Sequence, residues 1–309
     1  MKSNQKLPKI VTVLGPTASG KTGLAISLAK EFNGEIVNAD SRQIYKRMSI
    51  GTAKPKGAWI DGKYLVEGIP HYLMDIIDPD QEFNLSHFKA EALKTVDIIL
   101  KKGKLPIIVG GTGLYFWALI DNLDIPQFAP NPELRKQLEN ESLDELAEML
   151  KEKDPATALV IDLKNPRRVT RALEVVLQSG KSFMELRKKG RPLYNTLQIG
   201  LRWDKEGLKE RIKTRVEIQI HDGLQREVWE LLEAGYDWEL PSMSSIGYRE
   251  FRDFFGNKIT LPETTDFIIK DTVQYAKRQM TWFKRDERIK WVEKDDLIEA
   301  RKLVKEFLK

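Results

Sequence analysis

Residues 10–22 read Ile10-Val11-Thr12-Val13-Leu14-Gly15-Pro16-Thr17-Ala18-Ser19-Gly20-Lys21-Thr22, a β-branched apolar run closed by a complete G-x-x-x-x-G-K-[ST] loop. The run is short, so it reads as a buried strand, and Gly23 to Phe32 carries apolar residues at helical spacing. Strand, loop and helix therefore follow in the order that lets backbone N–H groups and a helix N-terminus wrap a polyphosphate. Gly15 and Gly20 keep side chains out of the cradle. Pro16, Thr17, Ala18 and Ser19 supply its backbone, Lys21 is set to neutralise a terminal phosphate, and Thr22 to offer its hydroxyl to Mg²⁺.

Which phosphate chemistry the loop serves is a separate matter. No apolar strand ends in the Asp that would coordinate Mg²⁺ in an ordinary NTPase. The best candidate, Leu105-Pro106-Ile107-Ile108-Val109, runs into Gly110-Gly111-Thr112-Gly113, and no Asn-Lys-x-Asp motif occurs. A GTPase switch is disfavoured. A small-molecule kinase, and a transferase that holds another pyrophosphate in the same cradle, both stay open.

The 309 residues suffice for one large domain with an insertion or for two domains, and the 41% hydrophobic content supports a buried core. The net charge of +5 implies only a mild pull on polyanions. Its distribution says more: 131–156 hold eight acidic and four basic residues, whereas 164–192 hold nine basic and two acidic, a net +7. Cysteine is absent, which excludes disulfides and thiolate zinc sites, and His71, His87 and His221 are too scattered for a local metal cluster. They read as structural. Met1 to Lys9 lack a signal-peptide apolar stretch, and nothing approaches the ~20 apolar residues of a membrane span. The expectation is a cytoplasmic protein, a monomer, with no membrane partner.

Strand and helix signals alternate over 1–120: strand 10–14, helix 21–32, strand 35–39, helix near 86–102 and strand 105–109. That is the pattern of a parallel sheet flanked by helices, with ligands at the strand C-termini. Pro126 and Pro130 break it. Ser142-Leu143-Asp144-Glu145 then looks like a capping box, and Arg167 to Leu177 is a helix with Val169, Ala172, Leu173 and Val176 as its apolar stripe. This leaves Arg167, Arg168 and Arg171 largely on other faces. Leu197 to Leu201 resembles a strand returning to the sheet, with Asp204 capping the next helix. The expected fold is an α/β phosphate-loop sheet, residues 1–124 and 196–309, carrying a helical insertion over 125–195.

Asp40 closes the second strand in Asn38-Ala39-Asp40-Ser41-Arg42-Gln43-Ile44-Tyr45, beside the phosphate loop if the two strands are neighbours. A carboxylate there suits a general base; a helix cap or a ligand to an Mg²⁺-bound water is the competing role. Gly110 to Tyr115 follows the third strand, its glycines permitting close approach to a ligand and Thr112 offering a hydroxyl. Arg211 and Arg215 share a helix face, either clamping a leaving diphosphate or simply facing solvent. Tyr275 to Arg285 interleaves cations with aromatics. That suits single-stranded nucleic acid, and suits equally an amphipathic helix with Tyr275, Met280, Trp282 and Phe283 partly in the core.

Together these strings resemble the tRNA dimethylallyltransferase (tRNA isopentenyltransferase) family. The matching pieces are Gly15 to Thr22, Asp40-Ser41-x-Gln43-x-Tyr45, Ile50 to Pro55, Pro70-His71 to Asp78-Pro79, Gly110 to Tyr115, Asn165-Pro166-Arg167-Arg168 through Glu174, Ile246-Gly247-Tyr248-Arg249-Glu250 and Tyr275 to Trp282. They run in the family's order along nearly the whole chain. Tyr72 departs from it, standing where many members carry a second His, and no zinc-binding extension of the eukaryotic kind is read.

The resemblance implies transfer of the dimethylallyl group from dimethylallyl diphosphate to the exocyclic amine of the adenosine just 3′ of the anticodon, in tRNAs reading codons that begin with U. It implies Asp40 as base, Thr112 assisting at the reacting centre, and Lys21, Thr22, Arg215 and Mg²⁺ offsetting charge on the diphosphate, with ATP a conceivable rival for the loop. It further implies that Asp40, Ser41, Arg42 and Gln43, the helix with Arg167, Arg168 and Arg171, and the segment with Ile246, Gly247, Tyr248 and Arg249 hold the anticodon stem-loop. An adenylate isopentenyltransferase, a small-molecule kinase and a non-catalytic nucleic-acid-binding module are the competing readings; the basic insertion and the aromatic, cationic C-terminus speak against the first.

Overall fold

The structure, a computed structural model, describes residues 6–125, 131–186, 188–294 and 296–309. Its elements, in order, are β1 (Lys9–Leu14), α1 (Lys21–Glu31), β2 (Gly34–Asn38), β3 (Ala58–Ile60), β4 (Lys63–Val66), β5 (Ile69–Tyr72), α2 (Leu85–Lys101), β6 (Leu105–Gly110), α3 (Gly113–Ile120), α4 (Pro132–Leu138) and α5 (Leu143–Lys153). There follow α6 (Pro155–Ala158), α7 (Pro166–Ser179), α8 (Phe183–Leu186), β7 (Asn195–Arg202), α9 (Lys205–His221), α10 (Leu224–Glu233), α11 (Phe251–Phe255), α12 (Leu261–Phe283), β8 (Ile289–Glu293) and α13 (Leu297–Leu308).

The chain divides into two compact units, Met1–Phe116 with Leu193–Lys309, and Trp117–Pro192. The sequence reading put these boundaries at 124/125 and 195/196, on the strength of the prolines at 126 and 130, which lie outside the described residues. Backbone pairing moves them. Asp124 N–H donates to the Lys188 carbonyl (2.8 Å), Gly190 N–H to the Asp121 carbonyl (3.1 Å), and Lys189 pairs with the Asp121 carboxylate (2.9 Å), so 121–124 closes within the smaller unit. Asn195 N–H donates to the Pro8 carbonyl (2.9 Å), which ties the returning chain to the sheet.

The larger unit is built on an eight-stranded sheet in the order β3-β4-β5-β2-β6-β1-β7-β8. From β5 to β8 every neighbouring pair is parallel; β4 runs antiparallel to both β3 and β5. Continuous burial of β1 beyond Lys9, of β2 and of β6 explains their near-uniform apolar runs. The condition placed on Asp40 is not met, because β6 lies between β2 and β1, its Ile107 level with Val11 on one side and Ile36 on the other. Asp40 and the phosphate loop still converge, since both leave the same C-terminal end of parallel strands. The core pairs the sheet with α1 and α13, while a second cluster joins Ile44, Tyr45 and Met48 to α9, α10, Tyr248 and Phe251.

In the smaller unit the capping box forms, Ser142 N–H meeting the Glu145 carboxylate (2.8 Å). The stripe Val169, Ala172, Leu173 and Val176 is buried against Leu138, Leu146 and Leu150. His87 completes the cap of α2 with Asn84, and His71 is buried with its Nδ1 on the Ile69 carbonyl, its pKa pushed down by that burial. No described helix is long and apolar enough to cross a membrane.

Candidate active site

The phosphate loop turns where Gly20 adopts φ +86°, a left-handed value that favours glycine, and no side chain caps the helix behind it. The first N–H groups of α1 therefore stay available to an anion. Four side chains from later in the chain brace the loop from outside. Trp203 Nε1 donates to the Ser19 carbonyl (2.9 Å), Arg211 Nε to the Ala18 carbonyl (2.7 Å), Arg215 Nη2 to the Thr17 hydroxyl (2.6 Å), and Gln279 Oε1 accepts from Thr17 N–H (2.8 Å). The other end of the Gln279 amide donates to the Gly111 carbonyl (2.8 Å), so α12 ties the loop to the end of β6. Of these braces the sequence reading singled out only Arg215 and, as an alternative to a solvated face, Arg211. Both reach the loop and line its cavity, Arg215 half-buried and Arg211 still exposed.

Two cavities meet here. One, about 660 Å³, is lined by Thr17 to Thr22, Asp40, Gln43, Gly110, Arg211 and Arg215 among others. The second, about 270 Å³, is lined by Ser41, Arg42, Ser244 to Gly247, Arg249, Tyr275 and Arg278. Thr17, Asp40, Thr52, Ala53 and Arg215 line both. Asp40 thus stands on the wall between an anion cradle and a neighbouring hollow. Its Oδ1 accepts from Arg42 N–H (2.9 Å), an Asx turn that fixes the carboxylate; no helix begins at Asp40 for it to cap. Desolvation pushes the half-buried Lys21 ammonium down to about 8 despite the opposing pull of Asp40, and the half-buried Arg215 to about 10.

Thr112 stands behind this wall: its hydroxyl accepts from Ser41 N–H (3.2 Å), holding the turn next to Asp40. The glycines around it also make room for protein neighbours, and Gly110 lines the first cavity besides. A Cβ on Gly110 would overlap the Ala39 carbonyl, and one on Gly113 the Trp282 indole, so both positions require glycine for close packing.

Of the residues expected on RNA, Arg42 donates to the Pro241 carbonyl (2.6 Å), linking the Asp40 turn to the 241–249 segment, and Gln43 donates to the Thr52 and Ala53 carbonyls. Arg249 is ion-paired with Glu250 and Asp271. Tyr248 requires a correction: its ring is fully buried and its hydroxyl donates to Glu227 (2.6 Å), so its side chain braces the wall and is closed to RNA. Ile246 and Gly247 do line the second cavity. In the smaller unit Arg167 and Arg168 are exposed, whereas Arg171 is held by Glu174. Residues 275–283 form the end of α12 and 284–285 its exit, with Phe283 buried and Tyr275, Met280 and Trp282 half-buried; Tyr275 and Arg278 nonetheless face the second cavity.

A braced phosphate loop with a carboxylate on its shared wall, and no motif for reading a nucleotide base, defines a phosphate-loop transferase. The family model described as IPP transferase matches residues 43–286. The tRNA dimethylallyltransferase of Acetivibrio thermocellus is 44% identical over 306 residues, 97% of this chain and 96% of that one; that of Roseiflexus sp. is 45% identical over 280 residues, 89% and 90%. Among solved structures, the tRNA isopentenylpyrophosphate transferase of Bacillus halodurans superposes with a TM-score of 0.72 at 33% identity, covering 97% of this chain and 96% of that one. A eukaryotic dimethylallyltransferase acting on tRNA gives 0.78 at 28% identity, covering 97% and 77%. The chain belongs to the IPP transferase, or tRNA dimethylallyltransferase, family.

Proposed function

We propose that this chain transfers the dimethylallyl group of dimethylallyl diphosphate to the exocyclic amine of the adenosine 3′ to the anticodon, in tRNAs reading codons that begin with U, and that it does so in the cytoplasm. The observation that carries the reading is Asp40 on the wall common to the two cavities. One cavity takes a diphosphate; the other, with Tyr275 for stacking and Arg42 and Arg278 for phosphates, takes a base splayed from a loop. An adenine amine is a weak nucleophile because its lone pair is shared with the ring. As its nitrogen bonds to the allylic carbon and the carbon–oxygen bond to diphosphate breaks, Asp40 takes the amine proton. Lys21, Arg215 and the free N–H groups at the start of α1 meet the charge gathering on the leaving oxygens.

Among the described residues no three His, Asp or Glu side chains cluster as a metal site, yet the Thr22 hydroxyl lines the cavity with Asp40 and Lys21. An all-oxygen set of Thr22 and diphosphate oxygens fits Mg²⁺. When bound, the ion would offset leaving-group charge.

The test is incubation with tRNA, labelled dimethylallyl diphosphate and Mg²⁺, followed by mass spectrometry of the RNA. A five-carbon adduct on the adenosine is expected. Asp40→Asn should lower the rate by ~10² or more, the usual toll for a positioned base, while RNA affinity holds. Label in AMP, ATP turnover without transfer, or RNA binding alone would each replace the proposal by one of its rivals.

A further inference from the structure

The loop Ser49-Ile50-Gly51-Thr52-Ala53 closes on itself through Ala53 N–H to the Ile50 carbonyl (2.9 Å) but is held in place largely from outside. It belongs to no strand or helix, yet Thr52 and Ala53 face both cavities and Gly51 faces the second. Three of its consecutive N–H groups converge on one carboxylate from α10: Ser49 and Ile50 donate to Glu227 Oε2 (2.8 Å each) and Gly51 to Oε1 (3.0 Å). The Tyr248 hydroxyl adds a fourth donor to Oε1 (2.6 Å). Gln219 of α9 donates to the Ile50 and Gly51 carbonyls, and Gln43 to those of Thr52 and Ala53. The loop is also seated on Tyr248: a Cβ at Gly51 would overlap that ring, which is fully buried and has nowhere to go.

We infer that Glu227 is a positioning residue for the transfer proposed above, acting through the 49–53 loop rather than on any substrate. A carboxylate nested in three backbone N–H groups plays the part that a bound anion plays in a phosphate loop, and it is an acceptor at every lone pair it presents there. No neutral side chain matches it: an amide in the same place turns a donor toward N–H groups that also donate. Fixing this loop fixes the distance between the diphosphate cavity and the hollow beside it, and so the alignment of the amine with the allylic carbon.

The inference rests on the proposed function, and its test separates the two. Hydrogen exchange of the unliganded protein, which needs no activity, should show peptides spanning 48–54 well protected, and Glu227→Gln should speed exchange there while β1, β6 and α12 exchange as before. In transfer assays run beside wild type, Glu227→Gln should lower kcat by roughly 10–100-fold, the scale of an ångström-sized misplacement, with the KM for dimethylallyl diphosphate within about threefold of wild type. Glu227→Asp should recover part of the loss. Wild-type exchange over 48–54 in Glu227→Gln, or an unchanged kcat, overturns the inference even where wild type transfers normally. An inactive wild type instead defeats the proposed function and leaves the exchange result to decide about Glu227. If Glu227→Gln loosens the whole molecule, Gly51→Ala decides: it keeps the carboxylate but pushes the loop off Tyr248, so it should lower kcat likewise, and wild-type turnover in it overturns the inference.

Discussion

Lys21 opens α1 with its ammonium on the Pro16 carbonyl (3.2 Å), and burial has lowered its pKa to about 8. Arg215, on the same cavity, is lowered to about 10 for the same reason, and the pull of Asp40 opposes both shifts. Two desolvated cations facing one carboxylate make a site that is costly when empty and relieved by a dianion. The sign follows from linkage. Lys21 gives up its proton near 8 in the folded chain and at 10.5 in the unfolded one, so between those values the unfolded chain holds more protons and stability rises with pH; below about 8 the full penalty applies. Lys21→Met should therefore melt a few degrees higher than wild type at pH 7, with the gap closing between pH 8 and 10.5, while calorimetry shows its affinity for inorganic diphosphate lost. A variant that melts lower at pH 7 would mean that the ammonium is paid for within the protein itself.

In α7 the buried charge is Glu174, wholly enclosed, with Arg135 (3.0 Å), Arg171 and Asn131 N–H (2.7 Å) on its oxygens. Burial alone would raise its pKa, but those donors prevail and hold it below the ordinary carboxyl value. Glu174→Ala should cost about 2–3 kcal/mol, less than the ~3–5 of a fully enclosed pair because both guanidinium groups reach water. Wild type should lose this advantage as pH falls below the ordinary 4.5 through the lowered folded value, so denaturation curves of the two proteins should converge in acid. Glu174 also marks what the sequence conceals. Val169, Ala172, Leu173 and Val176 were legible as the inner stripe of this helix because the period is local, and the phosphate loop was legible because strand, glycines and helix are contiguous. The order β2-β6-β1 was not, since nothing in a buried apolar run names its neighbours. The edge strands β3 and β8, short and without clean alternation, left no periodic signal. The braces were hidden for a plainer reason: Gln279 meets Thr17 across 262 positions, and Glu227 reads as one more acid on a charged helix until the folded chain brings three N–H groups to it.

Across the whole molecule, a net charge of +5 is a weak pull on a polyanion, and on the proposed function the footing for RNA falls to the net +7 of 164–192. The structure sorts that charge. Arg171 is committed to Glu174 and Lys189 to Asp121, so they stabilise the smaller unit. Arg167 and Arg168 project from the first turn of α7, exposed and outside any ion pair among the described residues. Only such uncommitted cations displace counterions from a phosphate backbone, and each phosphate contact adds about 0.7–0.9 to the slope of log affinity against log salt. Arg167→Ala combined with Arg168→Ala should therefore flatten that slope for an anticodon stem-loop by about 1.5, weaken binding most at low salt, and leave the KM for dimethylallyl diphosphate and the melting temperature near wild type. Arg171→Ala should do the reverse, lowering the melting temperature with little change in slope, because its charge is spent inside the fold. An unchanged slope in the double variant would assign the RNA footing to other cations, with Arg42 and Arg278 on the second cavity the next to examine.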